Sequence, residues 1–216
     1  MVSSHTFSSK EEWAANRSKI GGSDAGVIMG VSHWKNNVEL WREKTGRAES
    51  EDISSNPAVQ YGTRTESLIR DLFRAHHPEW GVGYKENNMW TNDRLPFAHA
   101  SLDGWIETMD DEMGVLEIKT ADILKRSQAD LWNGRVPDSY YCQILHYLMV
   151  TEFDFAIVCA ELKTHRIDGT VEYRIVERRI DRNEVFGDIN LLEKREREFW
   201  DYVTADIEPA LVLPKI

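Results

Sequence analysis

Cysteine is nearly absent from this chain: Cys142 and Cys159 are the two it has, and each sits within an apolar segment. Two such residues cannot build a disulfide framework or supply the four thiolates of an iron–sulfur cluster. They read as small core side chains in a reducing, cytoplasmic setting. Long apolar runs are missing too. No stretch of about eighteen apolar residues occurs, which argues against a membrane span. The opening MVSSHTFSSKEEW has no apolar segment of the kind a signal peptide carries. Positive charge is scarce: 26 Lys and Arg against 37 Asp and Glu leave a formal net charge of −11. That argues against a general nucleic-acid binder, since phosphate affinity comes from Lys and Arg, and any DNA reading must use a local basic surface, a metal, or a channel enclosed by subunits. No GKS or GKT follows the glycine-rich stretch 20–30, so it is not a P-loop. There is no internal repeat and no low-complexity segment.

What is present is a soluble, globular composition: 216 residues with 41% hydrophobic content, enough for a single domain over 1–216 with a sizeable core. Its N-terminal helices fall at 8–50, its main body at about 57–180 and a final helix at about 181–205. Ser8 or Ser9 caps a first helix, with Glu11 and Glu12 in its first turn and Trp13 and Ile20 as its apolar stripe. A short helix starts near Ser23, and a third spans 37–46 with Val38, Leu40 and Trp41 inward and Gly46 as its stop. The polar, acidic stretch 47–56 is a surface loop. Pro57 opens a long helix to about 76, striped by Ala58, Tyr61, Thr65, Leu68, Ile69, Leu72 and Phe73. From Gly81 the period changes. Strands over 84–90, 97–106 and 114–119 form an antiparallel meander, with turns at Asn92-Asp93-Arg94 and Asp110-Asp111-Glu112. Helices over 123–132 and 139–150 flank a loop marked by Gly134 and Pro137. Runs 153–162 and 171–180 form a hairpin around the turn 165–169. Asp181 caps the last helix, which carries the pair Glu193–Arg197, and the tail 209–216 is extended. The fold class is α/β of a mixed α+β kind: a central mixed sheet flanked by helices.

The chemistry concentrates in ASLDGWIETMDDEMGVLEIKT, residues 100–120. Asp103 lies in a Leu-Asp-Gly turn, and a short apolar run ends in Glu117-Ile118-Lys119. Strand alternation puts Glu117 and Lys119 on one face and Ile118 on the other. Charges at the end of a buried strand are costly unless paired. A divalent cation shared by Asp103 and Glu117, with Lys119 beside it, satisfies all three. Carboxylates suit Mg²⁺ and Mn²⁺, and a lysine near the ion can orient an attacking water. The Ile118 carbonyl could add a backbone ligand, and Glu66, beside the stripe of the long helix, another carboxylate. As a bare pattern the spacing is weak, for it equally fits a turn aspartate, a solvated strand end and an exposed helical glutamate.

In this arrangement the chain resembles the PD-(D/E)XK nucleases. More specifically it is similar to the phage lambda exonuclease and YqaJ-type viral recombinase family. The resemblance runs over about residues 13–200. It is carried by Arg17…Ile20-Gly-Gly-Ser-Asp-Ala, Gly62-x3-Glu66, Ser101-Leu-Asp103-Gly, Glu117-Ile-Lys119 and Gln143-x3-Tyr147, in the family's order. Leu102 stands where the motif name has proline. The resemblance implies a restriction-endonuclease-like core and a Mg²⁺-dependent exonuclease that degrades one strand of double-stranded DNA from its 5′ end. It assigns Asp103, Glu117 and Glu66 to the metal and Lys119 to the attacking water. Arg17, Ser23, Ser101 and Gln143 match positions that bind the terminal 5′-phosphate. It also implies a ring-shaped homotrimer around DNA, a single-strand annealing protein as partner, and a phage or prophage origin in the cytoplasm of a bacterial host. A ring would reconcile the acidic total with DNA, given an inward basic stripe, for which Lys35, Arg42, Lys44 and Arg47 are candidates. Ile53 or Val59 is a candidate wedge between base pairs. The alternatives are an endonuclease or repair nuclease of the same fold, or a catalytically silent recombination adaptor.

Overall fold

The structure, a computed structural model, describes residues 1–166 and 168–213. Ile167, in the expected 165–169 turn, and residues 214–216 of the expected tail lie outside them.

A five-stranded sheet carries the fold, in the order β2 (Gly81–Gly83), β4 (Gly104–Glu107), β5 (Met113–Ile123), β6 (Phe155–His165), β7 (Val171–Asp181). β5 and β6 run parallel, with Glu117 opposite Val158 and Lys119 opposite Ala160, and the other pairs are antiparallel. A parallel pair needs a crossover. Here it is made by α5 (Arg126–Asp130) and α6 (Asp138–Thr151).

Alternation along β5 divides the core. Val115 faces the larger cluster, shared with α2 (Gly22–Ile28), α6 and α7 (Phe186–Ala205), while Leu116 and Ile118 face Ile69 and Phe73 of α4 (Pro57–His76). The expected central mixed sheet flanked by helices is borne out. α4 has the predicted bounds, because Pro57 takes the first helical position, where a missing N–H costs nothing, and the Asn56 side chain caps Ala58.

Several local expectations change. The polar lead forms a strand, β1 (Val2–Thr6), paired with β3 (Asn88–Asn92) in a separate two-stranded sheet, so β3 leaves the expected meander. The expected 97–106 strand shortens to β4, preceded by the single bridges Ile20–Ala98 and Trp90–Ala100. Ile20 therefore belongs to a bridge rather than to α1 (Lys10–Ala15), whose cap is Ser9. Ile123 ends β5 instead of opening a helix, and Asp181 ends β7, so α7 begins at Phe186. On α4 only Ile69, Arg70 and Phe73 are buried; Leu68 and Leu72 are exposed. Among α3 residues (Asn37–Lys44), Leu40 and Trp41 are buried and Val38 half-buried. Both cysteines are buried and free. Among the described residues, no helix is long and apolar enough to cross a membrane.

Candidate active site

Asp103, Glu117 and Lys119 come together where β4 and β5 pair. The Asp103 Oδ2 accepts from the Ile118 N–H at 2.8 Å, which fixes the turn aspartate onto the strand. Glu117 is buried. One of its oxygens lies 2.5 Å from the Lys119 Nζ, and the other, Oε2, has no partner among the described residues. Burial, then the Asp103 charge, pushes the Glu117 carboxyl up to about 8, against the pull of Lys119. Burial likewise raises Asp103, partly offset by Lys119 and the Ile118 amide. Burial pulls the Lys119 ammonium down, but Glu117 and Asp103 outweigh it and the net shift is upward. The ammonium also lies 4.9 Å from the Tyr140 ring centre.

This donor set fits a divalent cation: two facing carboxyls that resist joint ionisation, one with an orphaned buried oxygen. Among the described residues no group of three or more His, Cys, Asp or Glu side chains is gathered to hold a metal ion. Glu66 stands on α4, the helix that packs on the opposite face of β5, and its carboxylate pairs with Arg70. Burial and then Asp103 raise its pKa, with Arg70 opposing. Two carboxylates, completed by waters and substrate oxygens, are what Mg²⁺ ordinarily takes from a protein.

The predicted phosphate residues share one place. Arg17, Ser23, Ser101 and Gln143 line a cavity of about 210 Å³ with Trp13, His99, Tyr147 and Asp103. The Arg17 guanidinium lies over the Trp13 ring, 4.2 Å from its centre. Ser101 Oγ accepts from the Trp13 Nε1 at 3.3 Å. Gln143 Nε2 donates to the Tyr147 hydroxyl at 2.7 Å. Gly22 is what lets α2 approach: a Cβ there would stand 2.4 Å from the Tyr147 ring.

Residues that carry no motif hold this site. The Asn88 side chain accepts from Leu102 N–H at 2.9 Å and donates to the Leu102 carbonyl at 2.8 Å. The buried Arg70 donates from Nε to the Asp103 carbonyl at 2.6 Å. Leu102 uses an N–H that proline lacks, and its side chain is buried. Leu102→Pro is expected to cost about 2 kcal/mol or more, read by denaturant unfolding, because it orphans the buried Asn88 oxygen.

Beneath the cavity, His146 of α6 is fully buried, with Nε2 2.9 Å from the His99 carbonyl and Nδ1 2.8 Å from Glu196. A carbonyl accepts only, so Nε2 carries a proton. The Nδ1 contact then needs a second proton on the ring or on Glu196. Burial pulls His146 down, but Glu196 more than compensates and its pKa is raised. A raised folded pKa gives stability that is full below the unfolded value of about 6.5 and is lost as pH rises through the folded one. The melting-temperature advantage of wild type over Glu196→Gln is therefore expected to shrink as pH rises above about 6.5. A pH-independent difference would refute this linkage.

The proposed channel lining fares differently. Lys35 pairs with Glu43 at 2.5 Å, Lys44 with Asp24 at 2.7 Å, Arg47 with Asp206 at 2.6 Å and Arg42 with Glu208 at 3.3 Å. Each is already matched by a local acid. Of the wedge candidates, Ile53 is exposed and Val59 half-buried.

Comparison with known proteins agrees with the family resemblance. Residues 12–154 match the model of the YqaJ-like viral recombinase domain. The Bacillus subtilis (strain 168) uncharacterized protein YqaJ is 31% identical over 208 residues; these cover 94% of this chain and 59% of that protein, so the chain spans well under two thirds of the relative's length. Among solved structures, the alkaline exonuclease LHK-Exo from Laribacter hongkongensis aligns with a TM-score of 0.63 at 19% identity, covering 92% of this chain and 95% of that one. A phage-related exonuclease from Haemophilus somnus 129PT aligns at a TM-score of 0.50 and 15% identity, covering 87% and 96%. At those identities the structural likeness speaks for the fold. The match over 12–154, about two thirds of the sequence, makes this chain a member of the YqaJ-like viral recombinase domain family.

Proposed function

We infer that this chain is a metal-dependent exonuclease that degrades one strand of linear double-stranded DNA from its 5′ end, leaving a 3′ single strand for annealing-based recombination. One observation carries the reading: the four phosphate donors share a cavity with Asp103, so an end-binding pocket abuts the carboxylate pair. Arg17 offers a planar fork to a terminal phosphate, with Ser23, Ser101 and Gln143 as neutral donors. Asp103 and Glu117 would hold Mg²⁺, with Mn²⁺ substituting; the Ile118 carbonyl and Glu66 are further proposed ligands. When bound, the ion supplies Lewis-acid activation of water and neutralises charge at the scissile phosphodiester. Lys119 orients the attacking water and balances charge beside Glu117. LHK-Exo has also been solved with dAMP, a deoxynucleoside monophosphate and so the kind of unit an exonuclease releases.

The whole chain acts as one domain on this reading. Its substrate is a duplex with a 5′-phosphorylated end, its assembly a homotrimeric ring, its partner a single-strand annealing protein, and its setting the cytoplasm of a bacterium carrying a phage or prophage. The ring's basic stripe would be drawn from residues other than the four paired cations.

The test uses linear duplexes with 5′-phosphate or 5′-hydroxyl ends and a closed circle, with Mg²⁺ or EDTA. Phosphorylated linear duplex is expected to be degraded fastest, in Mg²⁺ only, and the circle to survive. Cleavage of the circle would indicate an endonuclease, and inactivity on every substrate a silent adaptor.

A further inference from the structure

His99 stands out among the buried polar groups. It is 2% exposed, and neither ring nitrogen has a hydrogen-bond partner among the described residues. An unpaired imidazole in the interior is costly, because it gives up its bonds to water and gains none in return. The surroundings do not let it escape that cost. The His99 N–H donates to the Ile20 carbonyl at 2.9 Å, and its carbonyl accepts from His146 at 2.9 Å. The backbone is thus gripped from both sides, and the ring is delivered to the cavity wall beside Arg17, Ser23, Ser101 and Gln143. Its Nε2 edge faces Gly21, at the entry to α2, where an added Cβ would lie 3.2 Å away.

We propose that His99 is a further binding residue of this cavity, donating a ring N–H to the terminal 5′-phosphate of the DNA strand. The proposal rests on the end-phosphate reading given above. Burial drives the ring's pKa down to about 3, reinforced by His146, Arg17 and Lys44 and opposed by Asp24. Those four groups face it from α6, the turn after α1, α3 and α2. At neutral pH the ring is therefore an uncharged donor, and Arg17 is the cation among the cavity-lining residues. A phosphate oxygen arriving in the cavity supplies the acceptor that the fold withholds. The unpaired state is then the ligand-free state of this contact, and its cost is recovered when the phosphate seats against the ring.

The test is fluorescence anisotropy with 5′-phosphorylated and 5′-hydroxyl hairpin duplexes in EDTA, so that no strand is consumed. Wild type is expected to prefer the phosphorylated end. His99→Phe, which keeps a ring and loses the donor, is expected to reduce that preference about tenfold to a hundredfold. His99→Gln, which keeps a donor, should restore part of it. If wild type shows no preference, the end-phosphate reading falls and takes this proposal with it. If Arg17→Ala loses the preference while His99→Phe keeps it in full, the His99 role alone is overturned. Should His99→Phe fail to fold, ¹⁵N-histidine NMR of the wild type decides. A shift of the His99 ring nitrogens with the phosphorylated duplex and not the hydroxyl one supports the contact, and equal or absent shifts overturn it.

Discussion

Lys119→Ala is expected to slow degradation of linear duplex DNA by about 10²–10⁴-fold, the usual worth of a positioned acid–base group. Its Nζ lies 2.5 Å from Glu117, in the middle of β5 and on the face that Val115 turns to the larger core cluster. Removing it deprives a buried carboxyl of its cation. That carboxyl is already pushed up to about 8 by burial and Asp103, so it can take a proton instead of standing as an isolated charge. Circular dichroism is therefore expected to match wild type, with a modest fall in melting temperature. Undiminished nuclease activity in a well-folded Lys119→Ala would remove this lysine from the mechanism.

Glu117→Gln should separate activity from stability. Nuclease activity is expected to fall by roughly 10³-fold or more, since a lost ion contact forfeits several kcal/mol of charge stabilisation. Stability of the metal-free protein should move the other way. The ordinary value of this carboxyl is 4.5 and its folded value about 8. A raised folded value means its contribution is full below the ordinary one and is lost as pH rises through the folded one. Wild type without metal thus loses stability across that window, and Glu117→Gln does not. The variant's relative melting temperature should climb with pH in EDTA. In Mg²⁺ the order should reverse above about pH 8, because wild type alone gains from binding. Below that pH, Mg²⁺ binding to wild type should release protons, measurable by calorimetry in buffers of differing ionisation enthalpy. Equal pH profiles for the two proteins in EDTA would show that this carboxyl titrates normally.

The readable parts of the sequence were those whose physics is local. Pro57 and the stripe through Ile69 and Phe73 define α4 within the chain itself. The alternation of Val115, Glu117 and Lys119 against Leu116 and Ile118 needs only the period of a strand. Pairings between distant segments were not readable. β1 is short, polar and mostly exposed, and it is a strand because β3 lies beside it. The same partner draws β3 out of the meander that its position suggests. Asp181 reads as a helix cap from its residue type, but its pairing with Phe155 extends β7 through it. In the site, residues with motif neighbours could be found and their supports could not. Asn88, Arg70 and His99 have ordinary identities in ordinary contexts. Only the fold reveals that one clamps Leu102, one holds the Asp103 carbonyl, and one lies in the cavity with no ring partner among the described residues.

The three-residue segment Ser101-Leu102-Asp103 is braced at its middle by Asn88 and at its end by Arg70. Both ends line the cavity, and Asp103 also belongs to the carboxylate pair; on the proposed function Ser101 serves the terminal phosphate and Asp103 the metal. So short and stiff a link denies the molecule modularity. On that reading, substrate recognition cannot be regrafted while the chemistry is left alone, because any shift at Ser101 is felt at Asp103. Variation that survives selection should therefore be least in this segment and in the Asn88 and Arg70 that brace it.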